Sequence, residues 1–228
     1  MSVRINKWLA DNGYASRREA DVLIEKGSVF INAKKAKLGD QVEEGDTVEV
    51  RGNQTDQKAN YAYNKPVGVV TVNAQTGEEE ILSRTKFPEK VYPVGRLDKD
   101  SEGLVIMTND GRLAKKLLSE DVEKEYAVTL DKPITHQFLI KMKHGVTIGG
   151  AAKDRRYKTK PVKIRKVGDK RFDIVLVEGK NRQIRRMCSA LGYTVTALKR
   201  FRVGSIELGS LKKGQYRRLK PEELGNLT

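Results

Sequence analysis

Cysteine occurs once in these 228 residues, at Cys188, and histidine only twice, at His136 and His144. A single cysteine excludes an internal disulfide, and so few soft ligands argue against zinc, so no metal is expected. Long hydrophobic runs are missing too. No stretch reaches the roughly 18 apolar residues that a membrane helix needs, and no basic amphipathic helix with a large apolar face stands out. Residues 1–8 lack the apolar centre of a secretory signal. The expected location is therefore the cytoplasm, with no membrane partner. Glycine-rich phosphate loops, internal repeats and low-complexity tracts are also absent, and no cofactor motif is found.

What the chain has in excess is positive charge: +15 net, with a pI near 9.8. Residues 1–60 contain ten basic and ten acidic residues, so residues 61–228 carry the whole surplus. A polyanionic partner follows, and nucleic acid fits better than a membrane surface. The hydrophobic share of 38% suffices for one medium domain, or one plus a small appendage.

Periodicity predicts two short helices over 3–27. Ile5, Trp8 and Leu9 recur at helical spacing, and Ser16 with Glu19 fits a capping box. Small strands are expected at 29–31 and 47–50, with a turn at Asn32-Ala33. Arg4, Lys7, Arg17, Arg18 and Lys26 would line one side of the helix pair, either as a solvated face or as a grip on phosphates. Residues 51–60 are polar, as linkers are.

From Tyr61 onward, strand patterns dominate, at 61–64, 68–72, 91–94, 104–108, 125–130, 146–148, 162–167, 172–177 and 194–198. Helical patterns fall at 110–118, 135–143 and 182–191. The expected class is α+β with a mostly antiparallel sheet. Within 91–111, two apolar runs flank a charged, glycine-bounded loop carrying Arg96 and Asp98. A carboxylate there suits chemistry, or is one charge among many in a surface turn. Lys65-Pro66-Val67-Gly68 reads as a turn, and Tyr126 as a strand residue that packs or acts. Near the end, Asn181 could cap a helix carrying Arg182, Arg185 and Arg186 on one side, with no acid between Glu178 and Glu207 to offset them. Such arginines suit a phosphate or carboxylate. The run 153–160 is expected to be a solvated strand or loop.

Two resemblances sharpen this. SRREAD and IEKGSVFIN resemble the small α-α-β RNA-binding module of the S-four type, over 1–52. GRLDKDSEGL, KEYAV and GKNRQIRRM, in that order, resemble the three signature segments of pseudouridine synthases, in the branch of RsuA, RluB, RluE and RluF. The resemblance implies an RNA-binding domain at 1–52, a linker at 53–60 and a catalytic domain at 61–228. It implies that Asp98 is the essential aspartate and Tyr126 the aromatic that stacks on the base. It implies that Arg185 is the cation paired with the aspartate, that Arg96 contacts RNA or fills the gap left by the flipped base, and that Leu198 lines the pocket. The implied substrate is uridine in structured ribosomal RNA, of the large subunit, handled by a monomer without a cofactor. Transfer RNA as a further substrate, a catalytically silent ribosome-assembly factor, and a base-excising glycosidase are the alternatives.

Overall fold

A computed structural model describes residues 2–51, 58–149 and 156–225. The expected linker and the 153–160 run therefore lie partly outside the described residues. The chain begins β1 (Val3–Arg4), α1 (Ile5–Asp11), α2 (Arg17–Glu25), β2 (Val29–Ile31), β3 (Lys34–Lys35), β4 (Gln41–Val42) and β5 (Val48–Val50). It continues β6 (Asn60–Lys65), α3 (Ile81–Arg84), β7 (Tyr92–Val94), β8 (Glu102–Thr108), α4 (Gly111–Leu117) and β9 (Lys124–Leu130). Next come α5 (His136–Lys143), β10 (Thr147–Ile148), β11 (Tyr157–Lys158), β12 (Lys163–Lys166) and β13 (Arg171–Leu176). The last elements are α6 (Gln183–Ala190), β14 (Val195–Val203), β15 (Ile206–Glu207), β16 (Tyr216–Arg218) and α7 (Pro221–Gly225). No helix among the described residues is long and apolar enough to cross a membrane.

Two compact units result. The first holds residues through Tyr61 with Phe87–Val94 and Ile106–Leu118; the second holds Ala62–Lys86, Gly95–Val105 and everything from Ser119. In the first, Ile5, Leu9, Ala20, Ile24 and Val29 form an apolar core under α1 and α2, which cross beside the sheet β3-β2-β5. The capping box is present: the Glu19 amide donates to Ser16 Oγ at 3.3 Å, and the Ser16 amide to Glu19 Oε2 at 3.1 Å. Asn32 and Ala33 turn between β2 and β3 with φ of 47° and 64°. Glu19 also accepts from the Tyr92 hydroxyl at 2.9 Å and pairs with Lys90 at 3.1 Å. Lys115 of α4 lies 3.4 Å from Asp11. The helix pair is thus tied by side chains to later segments of the chain.

The main sheet runs β12-β13-β9-β14-β8-β6-β16, with β15 beside β14 and β7 beside β8. β12, β13, β9 and β14 are antiparallel to their neighbours, whereas β14 and β8 run parallel. On the buried face of β13 and β9, Phe172 lies opposite Val128 and Ile174 opposite Tyr126. Phe138 of α5 covers this face, edge-on to Phe172 at 5.5 Å between centroids. Burial of such a phenyl ring contributes roughly 2–3 kcal/mol. α6 presents Ile184, Met187 and Cys188 to the interior. Burial pushes the Cys188 thiol up to about 12.

Two expectations need correction. Residues 68–72 form no strand: Gly68 takes φ 90°, Asn73 φ 60°, and only an isolated bridge joins Val70 to Glu80. The segment's polar groups go instead to the Asp98 loop. Asn181 does not cap α6. The cap position is Arg182, in the left-handed region at φ 49° with no side-chain cap bond. Gln183 does the work nearby, accepting from the Lys180 amide at 3.0 Å. In addition, β14 runs well past 198 to Val203.

Candidate active site

The loop carrying Asp98 is held from behind. Thr71, fully enclosed, accepts from the Leu97 amide at 3.0 Å and donates to the Leu97 carbonyl at 2.7 Å. The Gly68 amide donates to the Lys99 carbonyl, and the Ser101 amide to the Asp98 carbonyl, at 2.8 and 3.0 Å. Lys99 is drawn outward to Glu78 at 2.8 Å. Beyond the loop, Gly103 enters the sheet at φ 112°, where a β-carbon would lie 2.1 Å from the Arg200 carbonyl oxygen. Only glycine permits so close an approach of β8 to β14. Asp98 itself is partly sheltered, with 29% of its side chain exposed.

Around that carboxylate stand two arginines of the 182–186 cluster. Arg182 Nη1 is 3.6 Å from Asp98, but its fork closes on Asp100, with bonds of 3.1 and 2.8 Å. Arg185 donates to the Asp100 carbonyl at 2.8 Å, to Ser101 Oγ at 3.1 Å and to the Val195 carbonyl at 3.0 Å. Its Nε lies 3.4 Å from the Asp100 carboxylate without an aligned hydrogen bond. Among the described residues, then, the cation in ion-pair range of Asp98 is Arg182, and Arg185 engages the two residues that follow. The bonds from Arg182 hold the Asp100 carboxyl below its usual range, against the opposing effect of burial. Arg186 turns away to the carbonyls of Asn181 and Gly149.

Tyr126 is 9% exposed and sits in a cross-strand row with Ile174, Arg200 and Gly103. Two strand spacings, about 10 Å, separate its backbone from that of Gly103 at the start of β8. Leu198 pairs with Val128, one step along the same buried face, so it is a diagonal neighbour of Tyr126. Arg96 is exposed on the loop. In the first unit Arg4, Lys7, Arg17 and Arg18 are all exposed.

Three supports escaped the sequence reading. Lys65 is fully enclosed at the end of β6, donating to the carbonyls of Pro66 and Val69 at 2.9 and 2.7 Å. Burial lowers its amine to about 8, although Asp98, Asp100 and Glu102 favour the charged form. Arg200, also buried, donates to the Leu104 carbonyl at 2.7 Å. Glu178 accepts from the Tyr157 hydroxyl at 2.6 Å, the Lys160 amide at 3.0 Å and Gln183 at 2.5 Å, anchoring the turn into α6. The described part of the basic run is thus built into the fold at Tyr157 and Thr159 rather than wholly solvated.

Residues 60–190 match the model of the RNA pseudouridylate synthase family, and residues 3–48 that of the S4 domain. The chain is 44% identical to the dual-specificity RNA pseudouridine synthase RluF of Escherichia coli K12, over 99% of its own length and 78% of that enzyme. An uncharacterized RNA pseudouridine synthase of Bacillus subtilis is 35% identical, with 97% of each chain covered. A pseudouridylate synthase crystal structure superposes with a TM-score of 0.73 at 30% identity, covering 99% of this chain and all of the other. Asp98, the arginines of α6 and Tyr126 thus sit within the span of a known catalytic domain that follows an RNA-binding one. The chain belongs to the RNA pseudouridine synthases, in the RsuA/RluB/RluE/RluF branch.

Proposed function

We propose that this synthase isomerises uridine in structured ribosomal RNA of the large subunit, in the cytoplasm, as a monomer and without a cofactor. Residues 1–52 would grip RNA through Arg4, Lys7, Arg17 and Arg18, and residues 61–228 would perform the chemistry. The relatives' printed activity and the exposed basic side chains support this reading. One relative is called dual-specificity, which favours a second RNA class, such as transfer RNA, as a further substrate.

The reaction breaks the bond between uracil N1 and ribose C1′, turns the base and joins C5 to C1′. The C5 proton leaves and N1 gains one, so no electrons enter or depart. A uridine in a helix must first swing out, at a cost of a few kcal/mol. Arg96, exposed beside the loop, is suited to hold the opened backbone or fill the gap. Asp98 is the reactive carboxylate in this account, Tyr126 stacks on the base and takes the C5 proton, and Leu198 walls the pocket. Arg185 braces the loop that carries Asp98. Exclusion of water keeps the detached uracil available for reattachment. The observation that carries the proposal is Asp98, part-sheltered, 3.6 Å from Arg182 on a loop bonded from behind.

Mapping of pseudouridine in total RNA from cells with and without this protein tests it. Loss of modification at a large-subunit site is the expected result. Unchanged maps would favour a silent assembly factor, and release of free uracil would favour a glycosidase.

A further inference from the structure

Asp98 is followed two residues later by a second carboxylate, and it is the second that takes the arginines. Asp100 receives both prongs of Arg182, at 3.1 and 2.8 Å, and stands 3.4 Å from Arg185 Nε, while its carbonyl accepts from Arg185 Nη2 at 2.8 Å. Asp98 keeps one looser contact, 3.6 Å from Arg182 Nη1. A bidentate fork is among the strongest links a carboxylate can make, and it occupies the lone pairs that an attacking or proton-accepting oxygen must use. The strain at Arg182, a non-glycine residue at φ 49°, costs on the order of 1 kcal/mol and fits a side chain aimed at a fixed anchor.

We propose that Asp100 is a positioning residue that holds the Arg182 and Arg185 guanidiniums off Asp98, so that the reactive carboxylate stays charged but unclamped. This rests on the assignment of Asp98 as that carboxylate. Without Asp100, the nearest anionic acceptor for Arg182 is Asp98 itself. The other charged groups about the loop do not substitute. Lys65 is buried and spent on two carbonyls, Arg200 on the Leu104 carbonyl, Lys99 on Glu78, and Glu102 is paired with Lys213.

The test compares wild type, Asp100→Asn, Asp100→Glu and Asp98→Asn on total RNA from cells lacking the protein, labelled with tritium at uridine C5. Single-turnover tritium release is measured from pH 5 to 9 as ~half-unit steps, together with RNA retention on filters. Asp100→Asn should lower the plateau rate roughly tenfold or more, with RNA retained as well as or better than by wild type. Its acid limb should move to lower pH, because a guanidinium on Asp98 and the loss of a neighbouring negative charge both favour the ionised form. Asp100→Glu, which can still hold the fork, should recover most of the rate. An Asp100→Asn plateau equal to wild type overturns the proposal, as does a uniform loss with the acid limb unmoved. If Asp98→Asn remains active, the assignment of Asp98 falls and this proposal with it; if Asp98→Asn is inactive while Asp100→Asn behaves as wild type, only this proposal falls.

Discussion

Thr71 and Leu97 exchange two hydrogen bonds, the Thr71 hydroxyl accepting from the Leu97 amide and donating to the Leu97 carbonyl. The residue so fastened immediately precedes Asp98. Thr71→Val keeps the shape and removes both bonds, leaving two buried backbone groups unpaired at a cost of about 1–3 kcal/mol. Thermal unfolding should show that loss, and single-turnover isomerisation should fall at least about tenfold as the loop loosens. RNA retention should not change. An unaltered rate in a destabilised variant would show that the latch serves the fold alone.

Lys65 gives a sign to the alkaline stability profile. Its amine is lowered by burial to about 8 from 10.5, so between those values the unfolded chain binds more protons than the native one. Stability from this group therefore rises as pH climbs from about 8 towards 10.5. Urea unfolding of Lys65→Met across that window should lack the rise. A parallel pair of curves would contradict the burial of a titrating amine.

Glu19 gives the opposite, acidic signature. Burial alone would raise its carboxyl, but bonds from Ser16, Lys90 and Tyr92 prevail and lower it to about 2. Its contribution is complete above 4.5 and is lost as pH falls towards 2. A third of the side chain is exposed, so solvent screening reduces the effect to about 1 kcal/mol. Glu19→Gln should cost that much at pH 7 and leave the acid limb flatter, as read by guanidinium unfolding at both pH values.

Tyr126 separates stacking from proton transfer. Tyr126→Phe should bind RNA and melt like wild type yet release tritium from C5 roughly tenfold more slowly or worse. Full activity in that variant would remove the hydroxyl from the chemistry and leave the ring alone.

Local rules reached some elements and not others. Ser16 and Glu19 cap within three residues of each other, and Asn32-Ala33 turns within two, so composition near the site decides both. The strand expected at 68–72 failed because its groups bond to Leu97 and Lys99, which no neighbouring residue foretells. β14 was read short because Lys199, Arg200 and Arg202 break the apolar alternation, although Arg200 is buried on a carbonyl. Asp98, Tyr126 and the arginine cluster stood out through motif and spacing. Which arginine faces which aspartate depends on contacts across more than eighty residues, between Arg182 and Asp100. Lys65 was masked by its place in an ordinary turn sequence.

The most direct measurement is tritium release by purified Asp98→Asn set against wild type on uridine-labelled RNA from cells lacking the protein. The substitution keeps the size of the side chain and removes its charge. The account predicts that RNA is retained as before while release falls to background. Pseudouridine formation at an undiminished rate in that variant would contradict it.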